Sequence, residues 1–425
     1  MTHSITDLRR RYNLQLLGIF AAAVGVRVMY VLLTIHALPG DTDSYRGIAE
    51  NLLGGHGYSI SADMPTAFRP PGYPLFIAVV ERFLGGPWSV IWAQCILGGV
   101  VALIAGSLAR RLVGDLFALV AAGLVAIDPY QVARCTEFMS EVFFSFAVLA
   151  ALALFMRAAC ASSVRNYAAA GIAAGAAAMT RPEFLLFIPG ALFAALLWGQ
   201  RKHRLLCAVV FIVASALLPA VWAARNKAAL GEWIFTTTHG GYTHRLSYNS
   251  IFYDEVVNGP SEVWDARSLK RWQARLADET SGMSEIAADE DNYKMASGFI
   301  MADWRRAATV GLYEAGAFWK LTPYGSGPYT GVVLCVFFLF LCIAGAAGVY
   351  VAWGRGPFVP ITLYILTLET LVHVYYWGNI RMRVPLHAIL CVLAACAIAA
   401  FFARKAPVGA TVRAVADETA YSPAG

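Results

Sequence analysis

Long apolar runs separated by short polar segments dominate the chain. A helix needs about 20 apolar residues to cross the hydrocarbon core of a membrane, and runs of that kind recur along the sequence. We predict about ten spans, near residues 14–35, 88–109, 113–128, 138–158, 165–180, 183–199, 204–224, 329–352, 357–377 and 384–403. The third, fifth and sixth are the shortest. The pattern therefore predicts an all-α, polytopic membrane protein.

Two long polar segments, near residues 36–87 and 225–328, interrupt the apolar runs. Loops longer than about 12–15 residues are usually functional or disordered. In the first segment, apolar residues at helical spacing over 45–53 predict a short helix on the membrane surface. The apolar stretch 73–84 is too short to span and is predicted at the membrane interface. The second segment has helix-like stretches, for example at 266–276 and 285–304.

The basic residues indicate how the chain is oriented. Cytoplasmic loops carry an excess of Lys and Arg, and the basic clusters fall on one side of the predicted spans. These clusters are Arg9 to Arg11, Arg110 and Arg111, Arg157 with Arg165, Arg201 to Arg204, Arg355, and Arg404 with Lys405. Both termini are then predicted in the cytoplasm, and both long polar segments face the periplasm or the cell exterior. Residues 1–404 form one predicted transmembrane domain, followed by a disordered cytoplasmic tail, 405–425.

Composition agrees with a protein of the inner or plasma membrane. Hydrophobic residues make up 59% of the chain and charged residues 14%, whereas soluble domains have about 45–50% and about 25%. The net charge of +6 lies in short clusters between apolar runs and not along one basic face, which argues against a nucleic-acid partner. The eight cysteines and the histidines show no metal-ligand spacing. Membrane lipids are therefore the expected surroundings.

Arginines at the outer ends of the predicted spans run against the positive-inside bias. They are Arg69, Arg134, Arg181, Arg225, Arg381 and Arg383. Any one of them could instead contact lipid headgroups or snorkel to the interface. Together they favour a phosphate site, because the guanidinium group binds phosphate oxygens through two parallel hydrogen bonds.

Acidic residues also lie beside the outer ends of the spans. Asp41 and Asp43 precede the predicted surface helix, where Asp43 is the expected helix cap and Asp41 the expected general base. The Asp-x-Asp spacing leaves a divalent metal open, without establishing one. Glu141 begins the fourth span and is a functional candidate, with an ion pair to Arg134 or Arg181 as the alternative. Glu183 is subject to the same alternative.

The order and spacing of these motifs resemble a known family. Asp41 and Tyr45 are followed by the surface helix and by a basic-Pro-Pro turn at Arg69–Leu75, and Arg381 and Arg383 close the pattern. This resembles the polyprenyl-phosphate-dependent GT-C glycosyltransferases, in particular the bacterial family 39-like group of protein O-mannosyltransferases and lipid A aminoarabinose transferases. The resemblance implies a GT-C-type bundle of about ten helices with surface helices in the first outer loop.

The resemblance also implies an enzyme that inverts the configuration of the transferred sugar. Asp41 would take the proton of an acceptor hydroxyl as the leaving lipid phosphate departs, and Glu141 would orient Asp41 or the acceptor. The residues that would bind substrate are Asp43, Tyr45, Arg69, Tyr73, Arg181, Arg225, Arg381 and Arg383. The partners would be a polyprenyl-phosphate sugar donor and a lipid, glycan or protein acceptor. The identity of the hexose or pentose stays open, because one fold serves many substrates.

Two other functions remain as alternatives. A flippase or transporter of lipid-linked sugars would commonly show repeats and ionisable groups deep within the spans; the charged residues here gather at one face. A polysaccharide polymerase or ligase would share the lipid-phosphate chemistry without requiring the loop from Asp41 to Arg69.

Overall fold

The computed structural model describes residues 5–161, 163–198, 203–259, 261 and 263–405. Its helices are α1 (Ile5–Thr34), α2 (Tyr45–Leu53), α3 (Gly72–Leu84), α4 (Trp88–Ile127), α5 (Pro129–Ala133), α6 (Glu141–Ala161), α7 (Val164–Ala178), α8 (Phe187–Trp198), α9 (Arg204–Leu230), α10 (Gly240–Ser247), α11 (Ser250–Phe252), α12 (Ala266–Glu279), α13 (Glu285–Ala302), α14 (Trp304–Trp319), α15 (Pro328–Ala352), α16 (Phe358–Tyr375) and α17 (Val384–Lys405). The predicted tail from 406 onward and the basic residues at 201 and 202 lie outside the described residues.

All ten predicted spans are helical. Seven helices in the described ranges are long and apolar enough to cross a membrane, namely α1, α4, α6, α9, α15, α16 and α17, the last with the turn before it. The predicted fifth and sixth spans are the shorter α7 and the apolar helix Pro182–Trp198. The predicted second and third spans are the two halves of α4. The chain is a multi-pass membrane protein, and its all-α class is confirmed.

Helix α4 is divided at Gly114. The backbone there has φ 76° and ψ −179°, a conformation that residues with a Cβ atom rarely adopt. Arg110 and Asp115 form an ion pair across this turn, with Nε and Oδ1 2.5 Å apart. Helix α1 packs against α4, and Arg27, fully buried in α1, donates hydrogen bonds to the carbonyl oxygens of Val125 and Ala126. A buried guanidinium needs such partners because the membrane interior offers no water.

Several of the basic clusters meet at one end of the bundle. The Arg110 guanidinium lies over the Tyr12 ring, 4.2 Å from its centroid. Arg355 donates a hydrogen bond of 3.0 Å to the carbonyl oxygen of Leu112. Helix α1 begins at this end and leads from it to the first outer segment. Placing the cytoplasm on this side stays a prediction that rests on the positive-inside bias.

The two long polar segments, residues 36–87 and 225–328, are called the first and second outer segments. The first contains the two predicted surface helices. They are α2 and α3, which pack against each other. Two short antiparallel strands, β1 (Ser59–Ser61) and β2 (Met64–Pro65), lie between them and were not predicted. Tyr45 and Ala49 of α2 join Tyr73 and Ile77 of α3 in one apolar cluster. The apolar spacing along both helices is therefore explained by their contact with each other and with the ends of the spans.

The second outer segment folds into helices α10 to α14 and connects back to the first. Glu285 at the start of α13 accepts hydrogen bonds from the Thr66 hydroxyl at 2.5 Å and the Ala67 amide at 2.9 Å. The neighbouring Asp289 accepts one from the Gly241 amide at 2.7 Å. Charge-assisted hydrogen bonds of this kind are stronger than neutral ones. Glu285 therefore holds the two outer segments together, and Asp289 holds α10 against α13 within the second.

Candidate active site

A cavity of about 1080 Å³ lies between the outer ends of the spans and the helices of the second outer segment. Five stretches of the sequence contribute residues to its polar end. They are Thr42–Tyr45, Phe68–Pro70, Thr180–Glu183, and some residues of Pro129–Glu141 and of Tyr376–Val384. The opposite wall comes mainly from α10, α12, α13 and α14. The sequence motifs that are far apart in the chain thus border one space.

Arg69 is held at the cavity by Asp43, Tyr45 and Tyr58. Its Nε donates a hydrogen bond of 2.9 Å to the carbonyl oxygen of Asp43, and its Nη2 lies 3.2 Å from Asp43 Oδ1. The guanidinium carbon is 5.0 Å from the centroid of the Tyr45 ring. The Tyr58 hydroxyl donates to the carbonyl oxygen of Arg69 at 2.8 Å. These contacts fix the direction in which the guanidinium group points.

The turn that carries Arg69 also packs tightly against the turn that carries Arg181. The Gly72 amide donates a hydrogen bond of 2.7 Å to the carbonyl oxygen of Met179. A Cβ atom at position 72 would lie 2.6 Å from Thr180 Oγ1 and 2.7 Å from that carbonyl oxygen. Glycine is therefore required for the close approach of the two turns.

Replacing Gly72 with Ala is expected to lower the free energy of unfolding by about 1–3 kcal/mol, because the added methyl group forces the two turns apart. Thermal unfolding in detergent measures the effect. Gly316→Ala is the control, because a Cβ there meets nothing within 4 Å. A Gly72→Ala protein as stable as that control would contradict the prediction.

Glu141 and two arginines form a buried ion cluster. The Glu141 carboxylate is fully buried, and its Oε1 accepts a hydrogen bond of 2.9 Å from Arg181 Nη2. Arg381 Nε lies 3.0 Å from the same oxygen. Arg181 Nε also donates to the Ser140 hydroxyl at 3.0 Å. Of the two ion pairs considered for Glu141, the one with Arg181 is therefore present, whereas Arg134 pairs with Glu137.

Arg381 connects this cluster to the first outer loop. Its Nη2 lies 3.7 Å from Asp43 Oδ2. The other oxygen of that carboxylate, Oδ1, forms the ion pair with Arg69. Arg69, Arg181 and Arg381 therefore converge from three segments of the chain on one end of the cavity. All three line it.

Asp41, and not Asp43, makes the side-chain hydrogen bond that caps α2. Asp41 Oδ2 accepts a hydrogen bond of 2.8 Å from the Gly47 amide and so caps α2. Asp43, the expected cap, instead faces the cavity between Arg69 and Arg381. Asp41 itself is not among the residues that line the cavity, although its neighbours from Thr42 onward are. Its Oδ1 is buried and has no hydrogen-bond partner within the described residues.

Tyr73 and Arg225, both expected to bind substrate, do not line the cavity. The Tyr73 hydroxyl is buried and donates a hydrogen bond of 3.0 Å to Gln94 Oε1. Arg225 donates to the carbonyl oxygen of Thr66 at 2.8 Å and to that of Tyr58. Both side chains thus connect the first outer segment to spans, Tyr73 to α4 and Arg225 to α9.

Arg383 also points away from the cavity. Its guanidinium lies 3.6 Å from the centroid of the Phe338 ring, and its Nη1 donates a hydrogen bond of 2.5 Å to the carbonyl oxygen of Phe318. It is buried among α14, α15 and α5. Of the ten predicted site residues, those that line the cavity are Asp43, Tyr45, Arg69, Glu141, Arg181 and Arg381.

Glu314 is a cavity residue that the sequence interpretation missed. Its carboxyl group is fully buried, accepts a hydrogen bond of 2.5 Å from the Ser247 hydroxyl and another of 2.9 Å from the Gly378 amide. It thereby holds the loop that leads to Arg381. A single acidic residue on the apolar helix α14 was the available signal. Burial raises the pKa of Glu314 to about 8, from an ordinary value of 4.5.

Glu314→Gln is expected to reduce the dependence of stability on pH. With a raised pKa, the stabilising contribution of the protonated carboxyl is complete below about pH 4.5 and is lost as the pH rises to about 8. The wild-type melting temperature in detergent should therefore fall over this window, and the variant, which cannot ionise, should show a smaller fall. Glu290→Gln on the exposed face of α13 is the control. Equal slopes for wild type and Glu314→Gln would contradict the prediction.

The residues at the cavity do not form a metal site. In the described part of the chain, no group of three or more His, Cys, Asp and Glu side chains is placed to hold a metal ion. The Asp43 and Glu141 carboxylates are in contact with arginines, and Asp41 caps a helix. The divalent metal left open by the Asp-x-Asp spacing therefore has no ligand set among the described residues.

The sequence and the fold both match known glycosyltransferases. Residues 68–223 match the family model described as dolichyl-phosphate-mannose-protein mannosyltransferase. The predicted resemblance to polyprenyl-phosphate-dependent GT-C glycosyltransferases is confirmed. The matched segment of this GT-C-like chain contains Arg69, Glu141 and Arg181; Asp41 and Arg381 lie outside it. No curated protein matches the chain in sequence.

Solved structures show the same GT-C architecture. Archaeal oligosaccharyltransferase AglB from Archaeoglobus fulgidus, in complex with an inhibitory peptide and a dolichol-phosphate, has a TM-score of 0.57 at 16% identity, covering 98% of this chain and 52% of that chain. The apo form of the Archaeoglobus fulgidus oligosaccharyltransferase has a TM-score of 0.57 at 16% identity, with coverages of 97% and 53%. This chain thus spans about half the length of those proteins.

ArnT from Cupriavidus metallidurans, bound to undecaprenyl phosphate, is also similar. Its TM-score is 0.41 at 15% identity, over 94% of this chain and 79% of that chain.

Proposed function

We propose that the chain is an inverting glycosyltransferase. It moves a hexose or pentose from a polyprenyl-phosphate donor to a hydroxyl group of a lipid, glycan or protein acceptor, on the periplasmic or extracellular side. The observation that carries the proposal is the convergence of Arg69, Arg181 and Arg381 on one end of a cavity. Guanidinium groups suit this role because they bind phosphate oxygens in a defined geometry.

The arginines act on the departing phosphate. As the bond from the anomeric carbon to the donor phosphate breaks, negative charge grows on the phosphate oxygen, and Arg69 and Arg381 stabilise it electrostatically. Arg69 is positioned by the Asp43 carbonyl oxygen and the Tyr45 ring, and Arg381 by the buried Glu141 carboxylate. Arg181 pairs with Glu141 and keeps that carboxylate, and through it Arg381, in position.

Asp41 is the proposed general base. It takes the proton of the acceptor hydroxyl, whose oxygen attacks the anomeric carbon from the face opposite the leaving phosphate. Its Oδ2 is held by the Gly47 amide, which leaves Oδ1 to accept the proton. Glu141 is the second candidate for this role, because it lines the cavity and its Oε2 is buried without a hydrogen-bond partner in the described residues.

A transfer assay tests the proposed function. Membranes containing the wild-type chain are incubated with radiolabelled polyprenyl-phosphate sugars, and the label is followed into extracted lipid, glycan and protein acceptors. Transfer by the wild type that is absent from membranes without the chain supports the proposal and identifies the acceptor class. Movement of intact labelled donor across sealed vesicles without transfer would instead support a flippase.

A further inference from the structure

Asp43 occupies the position between two arginines that a phosphate group would take. One carboxylate oxygen, Oδ1, lies 3.2 Å from Arg69 Nη2, and the other, Oδ2, lies 3.7 Å from Arg381 Nη2. A phosphate bound by both arginines would likewise present separate oxygens to each of them. Asp43 and an incoming phosphate therefore compete for the same two guanidinium groups.

Asp43 is held more loosely than the other carboxylate of the site. Its side chain is 23% exposed and lines the cavity, whereas that of Glu141 is 1% exposed. Arg381 lies 3.0 Å from Glu141 and 3.7 Å from Asp43. Moving Glu141 away would leave Arg181 and Arg381 only longer ion pairs, to Glu183 at 3.8 Å and to Asp43 at 3.7 Å, which is costly for buried charges. When Asp43 turns into the open cavity, Arg381 keeps Glu141, and the incoming phosphate replaces the carboxylate at Arg69.

The backbone beside Asp43 is strained. Ser44 has φ 62°, a left-handed conformation that is costly for a non-glycine residue and persists only where the surrounding contacts impose it. In the described residues, Asp63 is the other non-glycine residue with positive φ. The contacts of Asp43 with Arg69, through both its carboxylate and its carbonyl oxygen, hold the chain in this conformation. Releasing the carboxylate permits the segment to relax.

The charges also match. A donor in which phosphate joins the sugar to the lipid is a phosphate diester with one negative charge. The Asp43 carboxylate carries the same charge. After transfer, the lipid carries a monoester with a charge of about −1.5 to −2 at neutral pH, which the arginines hold more strongly. A carboxylate that returns to the arginines would help to release this product.

We infer that Asp43 is an exchangeable counter-ion of the donor site. The donor phosphate displaces it from Arg69 and Arg381, and its return to them expels the spent lipid phosphate. This inference rests on the proposed function. It changes the role expected for Asp43 from a residue that binds substrate to one that competes with it.

Binding of farnesyl phosphate to the full-length protein in detergent tests the inference. This probe carries a phosphate monoester, as does the product. Asp43→Asn should bind it about 3- to 10-fold more tightly than the wild type. This is the size of effect expected when one or two partly exposed ion pairs no longer compete with the phosphate. Asp63→Asn is the matched control, because it removes the same charge from the exposed part of the same outer segment. Its affinity should equal that of the wild type.

Steady-state kinetics give a second readout. Asp43→Asn should lower the donor KM and should be inhibited by lower concentrations of farnesyl phosphate. Melting temperatures show whether the variant is folded, and Asp43→Ala repeats the test if Asp43→Asn is not. Unchanged or weaker binding by a folded Asp43 variant overturns the inference.

The outcomes separate this inference from the proposed function. If the wild type transfers sugar and Arg69→Ala weakens probe binding, but the folded Asp43 variants bind no more tightly, the inference fails and the function stands. If neither the wild type nor the Asp43 variants bind the probe or transfer sugar, both fail.

Discussion

Asp41→Asn is expected to reduce sugar transfer by about 10²–10⁴-fold, the usual contribution of a general base. The substituted amide cannot accept the proton of the acceptor hydroxyl. Its side-chain oxygen can still accept the hydrogen bond from the Gly47 amide, so the cap of α2 and the fold should be retained. The measurement is the initial rate of radiolabel transfer in membranes with equal amounts of wild type and variant.

Glu141→Gln is the necessary comparison, because Glu141 has its own unpaired and buried oxygen. If Asp41 is the base, Asp41→Asn loses transfer even at saturating donor and acceptor concentrations. In Glu141→Gln, the loss should then appear mainly in the donor KM, since Arg181 and Arg381 lose their shared counter-ion. Normal transfer by Asp41→Asn together with complete loss in Glu141→Gln would move the base to Glu141.

Arg381→Ala should have the second large effect, a loss of about 10²–10³-fold in transfer, comparable to removing one donor from an oxyanion site. Arg381 is the residue that joins the Asp43 and Glu141 sides of the site. Without it, the leaving phosphate loses a positive charge as its own negative charge develops. Arg381→Lys should recover part of the activity, because an ammonium group restores the charge without the paired hydrogen bonds.

Arg305→Ala is the matched control for this variant. Arg305 is an exposed arginine at the start of α14, near the Trp304 ring and outside the cavity lining. Its removal changes the net charge by the same amount and should leave transfer unchanged. Equal activity in Arg381→Ala and Arg305→Ala would show that Arg381 does not stabilise the leaving phosphate.

Most of the helices could be predicted because their signal is local. Apolar runs of sufficient length mark the spans, and the 3.6-residue spacing marks α2. The break at Gly114 was predicted between 109 and 113, since the basic residues there interrupt the apolar run. The strands β1 and β2 have three and two residues, and segments that short carry too little pattern to be predicted.

The candidate site was predicted only in part, because residue type does not determine the direction of a side chain. Arg381 and Arg383 both lie in the 3-10 turn Ile380–Arg383. With about three residues per turn, their side chains point about 120° apart around the helix axis, so one reaches the cavity and the other packs on Phe338. The same limit explains why Asp43 was expected to cap α2, whereas the hydrogen bond to the Gly47 amide comes from Asp41.

The sequence by itself therefore determined the membrane class, the helices, the two outer segments and a set of arginines and acids beside the membrane. Those features depend on hydrophobicity and spacing along the chain, which are local properties. Only the tertiary structure decided which of these side chains share one cavity, and it added Glu314. Ion pairs such as those of Arg381 with Asp43 and Glu141 form between residues distant in the chain, and packing of the spans against one another brings them together.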